Sequence, residues 1–446
     1  MQKKYLLLCS VILLGIIAGI IIDMSYDKKE VSIIPIESID EKTTIDFMSS
    51  WGGYDSKANR LKIILKELNE KYPNLIIKDS SMAGEDFLFI LKTDFASGNP
   101  PDIFGLWPGK DFETLVKKHE IADLTGALKD DPEWYDQFKK ESLEYVTIDG
   151  HIYGLPVEAI YEGLFINQDL FDAYQVKVPT TFEELLEAVT IFKANGIVPI
   201  AYNSTPEGSY LYQNIIMKLG GKEDIEEPFD EAGEIKPCFR EGMQYMKLLY
   251  EQGAFPEDLF TLDDKARNDL FLQKKAAMIV QGSWFIGDNV LNGGDESVRV
   301  INFPNIKGGK ADSSAIIYGL GNGVLHISQR AWEDDEKRAW CLKLLKDFTS
   351  KETLQKFKQD SGFISGVYLD EAATDTAIVK QGDALINASK ERIGPVDSFI
   401  DRRIWENIIV KQMPNVFKGI TSKEQVFEWV NLEKKAQMIQ QGGAND

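Results

Sequence analysis

Cysteine and histidine are scarce in this chain of 446 residues, with three of each. Cys9, Cys238 and Cys341 are odd in number and far apart, which excludes a disulfide framework and a zinc knuckle. Two buried thiols are the expected state of Cys238 and Cys341, and a bridge between them is the alternative. His119, His151 and His326 fall in no H-x-x-x-H or H-E-x-x-H frame, so neither a histidine-built metal site nor a histidine general base is expected, and no cofactor is. Positive charge is in deficit: 50 bases stand against 71 acids, a formal net charge of −21. An acidic surface repels a phosphate backbone, so nucleic acid is not an expected partner, and the charge reads first as solubility.

Phosphate and nucleophile motifs are missing as well. Gly105–Lys110 (GLWPGK) is one residue short of a P-loop and has Asp111 where Ser or Thr must reach magnesium. Tyr318–Val324 (YGLGNGV) offers Gly319-x-Gly321-x-Gly323 at the wrong spacing for a dinucleotide site, and reads as a strand whose glycines let backbones approach. No G-x-S-x-G elbow occurs, so no catalytic residue is nominated; a pair of glycosidase carboxylates, which can lie far apart in a chain, stays open.

What the chain does have begins at its N-terminus. Lys3 and Lys4 precede Tyr5–Ile22, an uncharged apolar run. As a helix the run would span about 27 Å, close to a bilayer core. The lysines before it and Asp23 after it orient the body outward. No A-x-A site closes the run, and Ile17-Ala18-Gly19 leads into Ile20 rather than a lipidated cysteine. Residues 1–22 are expected to be an uncleaved membrane anchor, with a cleaved signal as the alternative; the body is exported either way. Residues 23–41, polar and containing Pro35, read as a tether.

The body is 43% hydrophobic over the whole chain and 27% charged, an ordinary globular composition, and its length suits two lobes. Thr44–Met48 alternates as a strand. Ala58–Tyr72 carries Leu61, Ile64, Leu65 and Leu68 on one helical face, followed by strands at Leu75–Lys78 and Asp102–Gly105. Strand and helix signals resume at Asn167–Phe171. Thr181-Phe182-Glu183-Glu184 opens a capped helix, and strands follow at Ile197–Ala201, Ala276–Val280, Val298–Phe303 and Tyr318–Val324. The chain is mainly helical beyond Glu333. Two α/β regions with parallel sheets are therefore expected.

Aromatic and polar residues gather where strands end. Trp51 follows the first strand, Trp107 the third, Glu207 and Tyr210 the strand Ile197–Ala201, and Trp284 the strand Ala276–Val280 by way of Gly282-Ser283. Ligands of open α/β sheets bind at the carboxyl ends of strands. An aromatic face suits the C–H face of a pyranose, and Asp, Glu, Asn and Arg suit its hydroxyls.

Four segments then resemble, in order, the family 1 extracellular solute-binding proteins, the group that includes maltose-binding protein. They are Ser97–Ile103 (SGNPPDI) with Ile121–Thr125 (IADLT); Asp149–Pro156 (DGHIYGLP) with Phe165–Phe171 (FINQDLF) and Pro179–Glu184 (PTTFEE); Phe271–Trp284 (FLQKKAAMIVQGSW); and Gly419–Glu424 (GITSKE). The chain departs from the family's pattern in lacking the lipidated cysteine and in having Gln273-Lys274 where a glycine is usual.

The resemblance implies an α/β fold of two Rossmann-like lobes joined by hinge strands, as in periplasmic binding proteins, with solute held between them. Crossings are expected near Pro156–Ala159, Gln273–Ala276 and His326–Gln329. One lobe would comprise 41–156 plus 276–327, the other 157–275 plus 328–440. Carried over residue by residue, Trp284 would stack on the ligand, and Lys110 and Asp111 beside Trp107 would make polar contacts. Glu158 or Tyr161 would lie at the first crossing, Glu207 and Tyr210 would face in from the second lobe, Tyr318 would line the floor, and Trp405 with Arg403 would approach from the C-terminal helices. The function implied is a monomeric, extracytoplasmic carbohydrate receptor, associated with the membrane through its N-terminal segment, that delivers sugar to the permease of an ABC importer. A surface sugar-sensing or adhesive module, and a secreted glycoside-acting enzyme, are the alternatives from other classes.

Overall fold

The computed structural model describes residues 33–442 apart from 40, 54, 84, 288–290, 292–295, 322, 362 and 370–375. The apolar run Tyr5–Ile22 and Cys9 lie outside the described residues. Among those described, no helix is long and apolar enough to cross a membrane.

Two sheets organise the chain. The first has the strand order Leu75–Asp79, Thr43–Met48, Ile103–Gly105, Val324–Ile327, Leu155–Pro156. Its first three strands are parallel, and Val324–Ile327 runs antiparallel to both of its neighbours. Helix Ala58–Lys71 returns the chain between the first two strands and buries Leu61, Ile64, Leu65 and Leu68, the face that the 3.6-residue period dictates. The capped helix also forms: Thr181 accepts the backbone N–H of Glu184, and Phe182–Ala194 follows.

The second sheet is built on Glu158–Asn167, ten buried residues. Ile316–Leu320, Ala276–Gly282 and Val298–Ile301 all pair with this strand antiparallel; Val198–Ile200 lies parallel to Ala276–Gly282, and Arg392–Ile393 parallel to Ile316–Leu320. A strand buried on both faces has no polar alternation, so only its end at Asn167 is legible in the sequence. Cys238 and Cys341 are free and buried.

Hydrogen bonding corrects the lobe boundaries drawn from the sequence. Ala276–Gly282, Val298–Ile301 and Ile316–Leu320, assigned to the first lobe, belong to the second sheet, and the chain does not cross near Gln273–Ala276. Helix Asp335–Phe348, assigned to the second lobe, packs on the first sheet, where Lys337 pairs with the buried Asp102 at 2.8 Å. The crossing expected at His326–Gln329 falls instead between Leu320 and Val324; near the expected Pro156–Ala159, Leu155–Pro156 lies in the first sheet and Glu158–Asn167 in the second. Which sheet a strand joins depends on its partner, and its own residues do not name that partner.

The glycine run lies at this second crossing. A Cβ on Gly323 would stand 2.3 Å from the Glu158 Cβ, and one on Gly321 would stand 2.6 Å from Ile160 Cγ2. The glycines serve close approach of two crossing strands, as their spacing suggests.

Candidate binding site between the lobes

Strand polarity decides what faces the cleft. Thr43–Met48 and Ile103–Gly105 are parallel, so the loops after both emerge on one edge of the first sheet; they carry Ser50 to Lys57 and Trp107 to Asp111. In the second sheet Val198–Ile200 and Ala276–Gly282 are parallel and deliver Glu207, Tyr210 and Trp284 to the corresponding edge. Glu158–Asn167 runs the other way, so its beginning, not its end, lies there: Glu162 sits opposite Gly282. Between these edges is a cavity of about 1010 Å³.

The cavity brings together eight of the sequence-predicted residues: Trp107, Lys110, Asp111, Glu158, Glu207, Tyr210, Trp284 and Trp405. Trp284 belongs to the short turn Ser283–Ile286, and its ring folds back over Gly282, where a Cβ would stand 2.0 Å from ring carbon Cζ3. Tyr210 meets Trp284 edge-on at 5.3 Å. Trp405 opens a π-helical segment, Trp405–Val410, and stacks on Tyr212 at 5.7 Å; such segments recur at functional sites.

Four predicted residues lie elsewhere. Trp51 is 1% exposed and packs on Phe348 and Phe357, because the chain turns it down into the first lobe's core. Tyr161 points away from the cleft, the face opposite to that of its neighbours Ile160 and Glu162, and closes on Gly382. Tyr318 is buried under the Arg392 guanidinium. Arg403 is on the surface and pairs with Glu433 at 3.3 Å; its neighbour Arg402 lines the cavity instead.

The sequence reading missed polar residues that complete the walls. Ser50, Asp55, Ser56 and Lys57 share the loop of Trp51, so the strand-end rule could have found them. Glu162 carried a second signal, an acid inside the apolar run EAIYEGLFIN.

Charge in the cleft is organised in pairs. Lys57 reaches buried Glu158 at 3.3 Å. Burial opposes the ammonium, but Asp55 and Glu158 outweigh it and hold Lys57 above the usual lysine value. Burial likewise pushes the Glu158 carboxyl up, and Lys57 opposes the shift. Arg267, 1% exposed, donates to Glu207 at 2.9 Å and to Asn203 and Asp264 at 3.1 Å. At the floor Glu162 accepts from Asn214 at 2.7 Å; burial, then the nearby Asp397, push its carboxyl well above the ordinary range. The two lobes also touch across the mouth, where the Arg402 guanidinium lies over the Trp107 ring, 5.5 Å from its centroid.

Rings interleaved with amides, hydroxyls and carboxyls make a surface for holding a polar solute with apolar faces. By contrast His326, between the backbone carbonyls of Tyr153 and Leu106 at 2.7 and 3.0 Å, ties loops of the first lobe together.

Comparison with known proteins bears on this cleft. The chain is similar to the multiple sugar-binding protein of Streptococcus mutans serotype c, with 24% identity over 336 residues, 73% of this chain and 76% of that protein. It is also similar to the maltotriose-binding protein of Pyrococcus abyssi, with 26% identity over 291 residues, 65% of this chain and 59% of that protein. A solved chitin oligosaccharide binding protein superposes with a TM-score of 0.78 at 22% identity, covering 88% of this chain and 98% of its own. A structure from work on xylan utilization by the thermophilic bacterium Caldanaerobius polysaccharolyticus also gives 0.78, at 24% identity, covering 88% of this chain and 100% of its own. The family described as bacterial extracellular solute-binding protein matches residues 54–333, more than half of the chain. With that match and the two-lobed fold around a central cleft, the chain belongs to the bacterial extracellular solute-binding proteins.

Proposed function

We propose that this protein is a carbohydrate receptor, which captures a sugar or oligosaccharide between its lobes and presents it to the permease of an ABC importer. The observation that carries the reading is the lining of the cavity: the rings of Trp107, Tyr210 and Trp284 stand among carboxyls and amides, with Trp405 buried behind them against Tyr212. Stacking on the C–H faces of a sugar and hydrogen bonding to its hydroxyls need that combination. Sugar-binding relatives support the same reading.

The role is binding without turnover. A ligand that touches both lobes favours the closed arrangement by its differential affinity, and closure is the signal a permease can read. The body is extracytoplasmic; we further propose that Tyr5–Ile22 keeps it at the membrane as an uncleaved anchor and that it acts as a monomer.

A thermal-shift screen of mono- and oligosaccharides tests the central reading. The cognate sugar raises the melting temperature and is recovered chemically unchanged. A purified protein stabilised by no saccharide, or one that hydrolyses the sugar it binds, would refute it. Mass spectrometry of the mature N-terminus tests the anchor, and a start near residue 24 would mean a cleaved signal.

A further inference from the structure

The charges lining the cleft are lopsided: eleven carboxyl-bearing side chains against four cationic ones. All four cations already have an acid at hand. Lys57 has Glu158 at 3.3 Å, Lys110 has Glu113 at 3.0 Å, Lys265 has Asp269 at 2.7 Å, and Arg402 is bound to Glu406. An anionic ligand would have to share a counter-ion that a carboxylate already partly neutralises. Arg267, just behind the wall, is likewise taken up by Glu207 and Asp264.

The floor sharpens the asymmetry. Glu162, 2% exposed, and Asp397, open to the cavity, both line it, and burial, then the Asp397 charge, push the Glu162 carboxyl well above the ordinary range. Glu207 and Tyr210 line the same cavity. Ser50 and Ser56, at least nine-tenths buried and lining the opposite wall, have hydroxyls with no hydrogen-bond partner among the described residues. Buried polar atoms are rarely left unpaired, so these await groups that a ligand supplies. A sugar hydroxyl can donate to a carboxylate and can also pair with a serine; a ligand carboxylate can accept from a serine but has no proton to donate to the carboxylates it faces.

We infer that the cleft selects by charge: it takes uncharged or amino-bearing saccharides and rejects uronic acids and other anionic sugars, with Asp397 as the specificity-determining carboxylate. The inference rests on the saccharide reading of the cleft and adds the class of sugar to it. An anion placed against carboxyls in a cleft of low effective dielectric meets a repulsion that counter-ions screen poorly. Rejection of the wrong ligand by an uncompensated like charge is a recognised route to specificity.

The test is calorimetry at pH 7.5 with length-matched panels: malto-, xylo- and N-acetylchito-oligosaccharides as neutral probes, glucosamine oligomers as amino probes, and galacturonate and glucuronate oligomers as anionic probes. The expected result is measurable affinity for at least one neutral or amino probe and affinity at least about tenfold weaker for every anionic probe. In Asp397→Asn, checked for an intact melting transition, the gap between neutral and anionic probes narrows. A uronate oligomer that binds the wild type as tightly as the best neutral probe would overturn this inference alone. A gap that stays unchanged in folded Asp397→Asn would overturn the assignment to this residue. Silence across all panels would overturn the saccharide reading and this inference with it.

Discussion

Two tryptophans that follow strand ends in the same way have opposite fates. Trp51 is sealed against Phe348 and Phe357, and Trp284 stands half-buried at the cleft wall. Trp51→Ala should therefore cost about 3–5 kcal/mol of stability. Trp284→Ala should leave the unliganded melting temperature nearly unchanged while weakening the ligand by about 1.5–3 kcal/mol. Melting and calorimetry on both variants check this; a collapse of Trp284→Ala would show that its ring supports the lobe rather than the ligand. Glu162 makes a different prediction. Its folded-state carboxyl titrates well above the ordinary value of 4.5, because burial and Asp397 disfavour the charge. The native state thus holds a proton that the unfolded chain has lost, and stability falls as pH rises through that window. Glu162→Gln, whose amide oxygen can keep the bond from Asn214, should gain stability over the wild type as pH rises above the ordinary carboxylate range. Scanning calorimetry from acid to neutral pH should show the difference vanishing at the acid end, and a constant difference would contradict it.

At the scale of elements, the strand Ala276–Gly282 and the turn after it act as one device. Gly282 has ordinary extended backbone, so it is required not for its own conformation but for the ring that lies over it. Gly282→Ala should fold, since the strand is unstrained, yet push Trp284 out of place and weaken binding by an amount approaching that of Trp284→Ala. Equal affinity for wild type and Gly282→Ala would show that the ring has room to move. The long strand Glu158–Asn167 is the other decisive element. Because it is antiparallel to its neighbours, it presents Glu158 and Glu162 at the cleft edge and buries the apolar remainder in the sheet.

At the scale of the whole molecule, the Arg402 guanidinium over Trp107 shows the lobes already meeting at one side of the mouth. Solute held between them adds contacts available only in that arrangement. Small-angle scattering should therefore record a smaller radius of gyration on addition of a bound saccharide, and Trp107→Ala should reduce both the compaction and the affinity. Tight binding with no change in radius would mean that the cleft is preformed and the hinge is not used.

Sequence alone determined the features that depend on short range. The helical face of Leu61, Ile64, Leu65 and Leu68, the Thr181 cap and the glycines of Tyr318–Val324 follow from period, side-chain reach and the lack of a Cβ. The strand-end rule placed Trp107, Tyr210 and Trp284 at the cleft for the same reason, since a loop begins where its strand stops. Tertiary structure alone decided which sheet claimed residues 276–320, that Trp51 and Tyr161 turn inward, and that Glu162 reaches the floor. Those outcomes are set by hydrogen-bond partners and packing between segments far apart in the chain. A strand buried on both faces has no alternation to betray its orientation, and a single tryptophan has none to betray whether it faces core or cleft.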